Sequence, residues 1–201
     1  MNYGVSPQVH AFDGPSILET VGTIAAITRQ ASRIAAGRPL SVVVSCWPRP
    51  ADVLAPCKQD PRFLEPLGAA WLTGILASIS APTVSRLTLF TLDELASAWR
   101  ADSSTARLIS SLTELEDPRL LVAPAPSGVA ILAIRHRRGY RILVANLRLE
   151  PSTARVRLPI DGPWSRTSLT AEDSRTGALS VPADREVTIA LGEVGVERLD
   201  R

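Results

Sequence analysis

The residues of this sequence that carry chemistry of their own gather where its β-prone runs end. His10 and Asp13 close one run, Cys46 and Trp47 a second, and Thr91, Asp93 and Glu94 a third. An imidazole and a carboxylate three positions apart can work as a base and its orienting partner, or can hold the hydroxyls of a substrate. On a strand, that spacing puts them on opposite faces unless the chain turns between them. The competing reading is a packed, hydrogen-bonded His10 and an Asp13 that stabilises the turn before a helix, and for catalysis the residues alone favour it. Cys46 lacks an evident histidine or helix N-terminus to lower its pKa, so it reads as a structural thiol. Trp47 offers an aromatic face that suits a furanose or pyranose ring, and suits core packing equally well. Asp93 and Glu94 are adjacent carboxylates, but Asp93 also suits a helix N-cap. His10 and His136 fit no metal-ligand spacing with the cysteines, so neither a metal nor a cofactor is expected. The candidates are therefore Asp13 and His10 for catalysis, and Asp13, Trp47 and Thr91 for substrate binding.

These positions need elements to hold them. Gln8–Phe12 is a short β-prone run that ends at Asp13-Gly14-Pro15. Ser16-Ile17-Leu18-Glu19 then reads as a capping box, which accounts for Glu19. Ile17, Val21, Ile24, Ile27, Ala31 and Ile34 recur at helical spacing up to Gly37. Leu40–Ser45 is a nearly continuous apolar strand, as expected of a parallel strand covered on both sides. A Pro-rich loop, Trp47–Pro61, leads to a helix over Arg62–Ser80, a third strand over Val84–Phe90, and short helices over Asp93–Trp99 and Ser103–Leu115. The order is β-α-β-α-β-α, so three adjacent parallel strands joined by crossover helices are expected. Asp13-Gly14-Pro15-Ser16 is not a G-x-G-x-x-G loop, which argues against a dinucleotide.

The pattern changes near Asp117-Pro118. Beyond the turn-rich Ala123–Gly128, short strands are expected at Val129–Arg135, Tyr140–Leu147, Thr153–Leu158, Arg166–Thr170, Val187–Leu191 and Val196–Leu199, with a hairpin turn at Arg137-Arg138-Gly139. Arg135, Arg137, Arg138 and Arg141 cluster around that turn as a solvated tip. The expected organisation is an α/β segment over 1–118 and an antiparallel β-sandwich over 119–201.

With 201 residues, a formal net charge of +2 and 45% hydrophobic residues, the chain can bury an ordinary core. Its basic residues are arginines apart from Lys58, and acidic residues are interspersed among them. No basic stripe suited to nucleic acid results. No apolar run approaches the roughly 18 residues of a membrane span, and the N-terminal residues lack the basic and apolar regions of a secretory signal. Cys46 and Cys57 form no disulfide framework, so a cytoplasmic protein with reduced thiols is expected.

Val9-His10-Ala11-Phe12-Asp13 with Ser16-Ile17-Leu18-Glu19-Thr20 resembles a segment of the D-apionate lactonase-like proteins. So do Asp60-Pro61-Arg62, Leu67–Gly74, Val144-Ala145-Asn146-Leu147 and Arg155–Pro159, in the same order along the chain. That family resembles the clan-A glycoside hydrolases, a (β/α)₈ barrel followed by a β-sandwich, and opens the lactone of a branched-chain sugar acid. The resemblance implies that this chain holds the last three β/α units of the barrel and the sandwich. About five earlier units would then lie outside it. It also implies a Glu at the end of the last strand, where Thr91 stands here; a threonine is neither a general acid nor a carboxylate nucleophile.

The expected protein is the C-terminal portion of a sugar-lactone hydrolase without a complete active site; the alternative is a non-catalytic carbohydrate-binding or assembly module. Three strands cannot close a barrel. The expected partners are an upstream polypeptide that supplies the missing strands or a second copy of the chain, and a sugar-acid lactone as substrate.

Overall fold

The computed structural model describes residues 1–5, 11–44, 60–79, 84–89, 102–171 and 176–201. The first part contains β1 (Asn2–Val5), α1 (Gly14–Ala35), β2 (Leu40–Val44), a 3₁₀ turn (Pro61–Phe63), α2 (Pro66–Ile79), β3 (Val84–Leu89) and α3 (Ser104–Thr113). The strands form a parallel sheet in the order β1-β2-β3. The expected number, order and direction of strands are met, but the first strand is displaced. It is Asn2–Val5, and Ala11 and Phe12 lie outside any strand, with Gln8–His10 outside the described residues. Tyr3 and Val5 alternate inward with Val42 and Val44 as their partners in register, a pairing that the short run before Pro7 did not advertise.

The cap of α1 also differs from the capping box. Asp13 is the N-cap, and its carboxylate accepts from the Ser16 backbone N–H at 2.9 Å and the Ser16 hydroxyl at 2.8 Å. Pro15 fits the first turn because its missing N–H would have no intrahelical acceptor there. The helix therefore starts ahead of Ser16, and Glu19 lies exposed on the second turn. The second helix starts at Pro66 rather than Arg62 for the same reason, preceded by the 3₁₀ turn that Asp60 caps.

The parallel sheet is two-faced. Tyr3, Val5, Leu40, Val42, Val44, Leu87 and Leu89 point toward the helices, where Val42 and Val44 are fully buried. Asn2, Gly4, Ser41, Val43, Arg86 and Thr88 form the opposite face. Cover on both sides of β2 is thus corrected: Val43 is exposed, and among the described residues only the helix-facing side is covered.

The second part is antiparallel. A six-stranded sheet has the order β4 (Arg119–Leu121), β5 (Val129–His136), β6 (Gly139–Asn146), β11 (Val196–Asp200), β8 (Gly162–Ser168), β9 (Thr176–Val181). A second sheet pairs β7 (Ser152–Arg157) with β10 (Glu186–Leu191). The strand expected at Arg166–Thr170 begins at Gly162. Arg119–Leu121 and Thr176–Val181 escaped the sequence reading, since their exposed side chains produce no alternation.

Two cores meet on the six-stranded sheet. Ile131, Ala133, Ile142, Val144 and Leu199 pack toward Ala154, Val156, Ile189 and Leu191 of the two-stranded sheet. On the other side, Ala130, Leu132, Ile134, Leu143, Ala145 and Val196 join a cluster with α1, α2 and the parallel sheet. Because β5 and β6 are covered on both faces, they read as continuous apolar runs, whereas β7, with one face in water, alternates. Between the two parts lies α2, in which every residue from Leu67 to Ile75 is buried.

Close approach at α2 depends on glycine. A Cβ on Gly68 would sit 1.8 Å from the Phe63 carbonyl oxygen, while a Cβ on Gly22, mid-helix in α1, would meet nothing within 4 Å. The same substitution should therefore have opposite effects at the two sites. Gly22→Ala is expected to raise stability by about 0.5–1 kcal/mol, the helix-propensity gain. Gly68→Ala is expected to lower it by about 1–3 kcal/mol through overpacking. Thermal unfolding of the two variants checks both signs.

Candidate functional site

In parallel β/α sheets, ligands collect beyond the carboxyl ends of the strands. Here those ends are Val5, Val44 and Leu89. His10, Cys46, Trp47, Thr91, Asp93 and Glu94 lie outside the described residues. Of the candidate catalytic and substrate-binding residues, Asp13 alone is described.

Asp13 is exposed and committed to its helix. The Ser16 backbone N–H, and then the Ser16 hydroxyl, hold its carboxyl below the usual carboxylate range, with a smaller contribution from the Arg62 charge. It is thus a carboxylate at neutral pH, able to accept hydrogen bonds but unable to donate a proton. The turn-stabilising role weighed from the sequence is the one the geometry shows.

A second carboxylate, Asp60, lies in the Asp60-Pro61-Arg62 segment of the family resemblance and is not among the sequence-predicted site residues. Its side chain is nearly buried and accepts from the Arg62 backbone N–H at 3.0 Å. Arg62 Nε lies 3.0 and 3.1 Å from its two oxygens, and Nη2 lies 2.5 Å from Oδ2. The same Nη2 donates to the Phe12 carbonyl at 2.6 Å. Arg62 therefore ties the segment before α1 to the segment before α2, beside the carboxyl ends of β1 and β2. The bidentate pairing with Asp60 raises the guanidinium pKa further, so the clamp keeps its charge at any physiological pH. An aspartate two residues before an arginine at a helix start is the sequence signal for it.

Glu19 borders a cleft of about 850 Å³ between α1 and the 126–129 and 147–150 segments, with Arg148 and Glu150 on its far side. Arg148 donates to the Ser127 carbonyl at 3.1 Å, and Asn146 bridges the Glu150 and Gly192 carbonyls at 2.7 and 2.9 Å. These polar groups fasten loops of the second part. Among the described residues, no three His, Cys, Asp or Glu side chains form a group able to hold a metal ion, and no helix is long and apolar enough to cross a membrane.

Two outcomes follow for stability. Arg62→Ala removes charged hydrogen bonds from a nearly buried carboxylate, and is expected to cost about 1.5–3 kcal/mol. Arg62→Lys should restore only part of this, because an ammonium cannot match the fork of contacts. Denaturant titration separates the three proteins. For Asp13 the folded pKa is depressed, so its contribution is present above the unfolded value near 3.8 and is lost as pH falls through the folded one. Asp13→Ala should therefore unfold more easily than the parent at neutral pH. The gap between their thermal midpoints should close as the pH drops below about 4.

Several solved structures share this fold. A bifunctional glucanase-xylanase from a metagenome library matches with a TM-score of 0.66 at 13% identity, over 98% of this chain and 43% of that one. The α-L-arabinofuranosidase of Thermotoga maritima matches with a TM-score of 0.68 at 12% identity, over 100% and 52%. A family 51 α-L-arabinofuranosidase of Thermotoga petrophila matches with a TM-score of 0.66 at 11% identity, over 95% and 50%. The chain spans about half the length of these proteins, and the likeness is one of fold. No curated protein sequence matches it. The family model for the D-apionate lactonase TIM barrel domain matches residues 1–115, more than half of the chain. Together with the three parallel β/α units found over the same residues, that match makes this chain a member of the D-apionate lactonase family.

Proposed function

We propose that this chain is the C-terminal portion of a carbohydrate-lactone hydrolase of the D-apionate lactonase type, and that its active site is incomplete without further polypeptide. In this reading, residues 1–118 are the last three β/α units of a TIM-type barrel, and residues 119–201 are a β-sandwich docked on them. One observation carries it: the family match over residues 1–115 falls on three parallel strands, with no further strand paired to them among the described residues.

The chemistry within reach supports the reading. Opening a lactone requires a nucleophile or an activated water at the acyl carbon, and a donor for the departing alkoxide. The two carboxylates described near the strand ends are engaged by their own backbone and by Arg62, so neither is poised as a proton donor. In sequence, Thr91 stands where the family resemblance implies a glutamate. Asp13 still presents an ionised oxygen that can accept a sugar hydroxyl, and with Trp47 and Thr91 it forms the proposed substrate-binding set. A cytoplasmic setting suits a protein with two reduced thiols.

The purified chain is expected to hydrolyse sugar-acid lactones no faster than buffer does. A pH-stat assay over a panel of aldonolactones checks this. Turnover above background that Asp13→Ala abolishes would show the chain to be complete for catalysis and make Asp13 a catalytic residue.

A further inference from the structure

Beside the turn between β5 and β6 lies a groove of about 630 Å³, lined by Asp117, Arg119, Arg135, His136, Arg137 and Arg138. Backbone pairing fixes its walls. The register of β4 on β5 sets Arg119 directly opposite Arg135, and the Arg137 N–H donates to the Glu116 carbonyl at 2.9 Å. Directly opposed residues on antiparallel strands share a face, with Cβ atoms about 4.5–5.5 Å apart, and like charges in that position are destabilising. The fold thus holds two guanidiniums together against their repulsion. Arg135 is exposed and has no hydrogen bond or ion pair among the described residues. Arg119 reaches Asp117 at 3.4 Å, and Arg137 and Arg138 share Glu116 at 3.4 and 3.1 Å. These groups are all exposed, and ion pairs between exposed groups contribute little. Four guanidiniums against two carboxylates concentrate here a charge equal to the formal net +2 of the whole chain.

We propose that this groove binds the phosphoryl group of a small molecule, with Arg119 and Arg135 as the two principal ligands. A carboxylate is satisfied by the fork of a single guanidinium. A phosphoryl group carries close to two charges and three strong acceptor oxygens, so it can engage two guanidiniums at once and offset the repulsion between them. Arg137 and Arg138 raise the local potential, as charges of one sign do when they line a cleft. His136 accepts from the Arg138 backbone N–H at 3.4 Å through Nδ1, so its neutral ring keeps the proton on Nε2 and offers one more donor. A nucleic acid fits less well, because the charge is a compact cluster and not the extended stripe that follows a phosphate backbone. The site is built from residues of the antiparallel part and stands whether or not the chain hydrolyses lactones.

The test titrates the full chain calorimetrically with inorganic phosphate and with glycerol phosphate, at about 0.15 M ionic strength so that distant exposed charges are screened. Saturable binding at a single site per chain is expected. Arg119→Gln and Arg135→Gln should each weaken it at least about tenfold. Arg135→Lys should also bind more weakly than the parent, because an ammonium lacks the fork. Arg155→Gln removes an exposed arginine of β7 outside the groove and should leave binding unchanged. Arg135 faces a like charge without a partner, so without phosphate the Arg135→Gln protein should melt no lower than the parent. Tighter binding of glycerol phosphate identifies an organic ester as the source of the phosphoryl group, tighter binding of phosphate identifies the free ion, and either supports the site. Absence of saturable binding by both would overturn the proposal. So would an equal loss in Arg155→Gln, citrate binding as tightly as either phosphate, or a duplex oligonucleotide that outcompetes both.

Discussion

The two-sided burial of α2 is the constraint on which the rest of the structure depends. A helix apolar all round must be covered all round. One side of α2 receives α1 and the parallel sheet, and the other receives β5, β6 and β11. Trp71, fully buried, donates to the Thr20 hydroxyl at 2.9 Å, which fixes the rotation of α2 against α1. A Cβ on Gly74 would come 3.0 Å from Val21 and 3.2 Å from Leu147, so both neighbours close onto the helix at one point. Each large side chain covered in this way contributes roughly 1.5–3 kcal/mol. The α/β units and the antiparallel sheet therefore share one hydrophobic cluster, and removing either layer would leave α2 with an apolar face in water.

Polar contacts then set the geometry around that core. Arg107 of α3 donates to the Leu169 carbonyl at 2.9 Å. Arg141 reaches the Ser111 carbonyl from β6 while pairing with Asp200 at 2.6 Å. Asp13, Asp60 and Arg62 do the same at the other end, where the segments entering α1 and α2 are fastened to each other. The carboxylates near the strand ends are those that the backbone uses to start helices. The Ser16 contacts hold Asp13 ionised, which makes it a good acceptor and a poor acid.

The parallel sheet shows how one strand pattern serves two environments. Its helix-facing residues are aliphatic apart from Tyr3, which donates to the Thr28 hydroxyl at 2.6 Å. Its other face, with Asn2, Ser41, Arg86 and Thr88, is mostly polar. Among the described residues, β1 and β3 are the outer strands of this sheet.

Much of this was legible in the residues alone. The helical spacing from Ile17 to Ala31, the apolar runs at Leu40 and Val84, and the alternation through Ala154, Val156 and Leu158 determined element types and order, since periodicity reports which side of an element meets the core. Family membership was legible too, because short motifs kept their order along the chain. Tertiary structure alone decided where the first strand lies, because Asn2–Val5 becomes a strand by pairing with β2 rather than by its own pattern. It alone decided that β5 and β6 have two buried faces, whereas β2 leaves Val43 exposed. It also decided the role of Asp60. A carboxylate before Pro61 is unremarkable in sequence, and becomes the anchor of two loops only when Arg62 can reach both it and the Phe12 carbonyl fifty residues earlier in the chain. Local pattern encodes the period of an element, while partners distant in sequence determine which surfaces are finally covered.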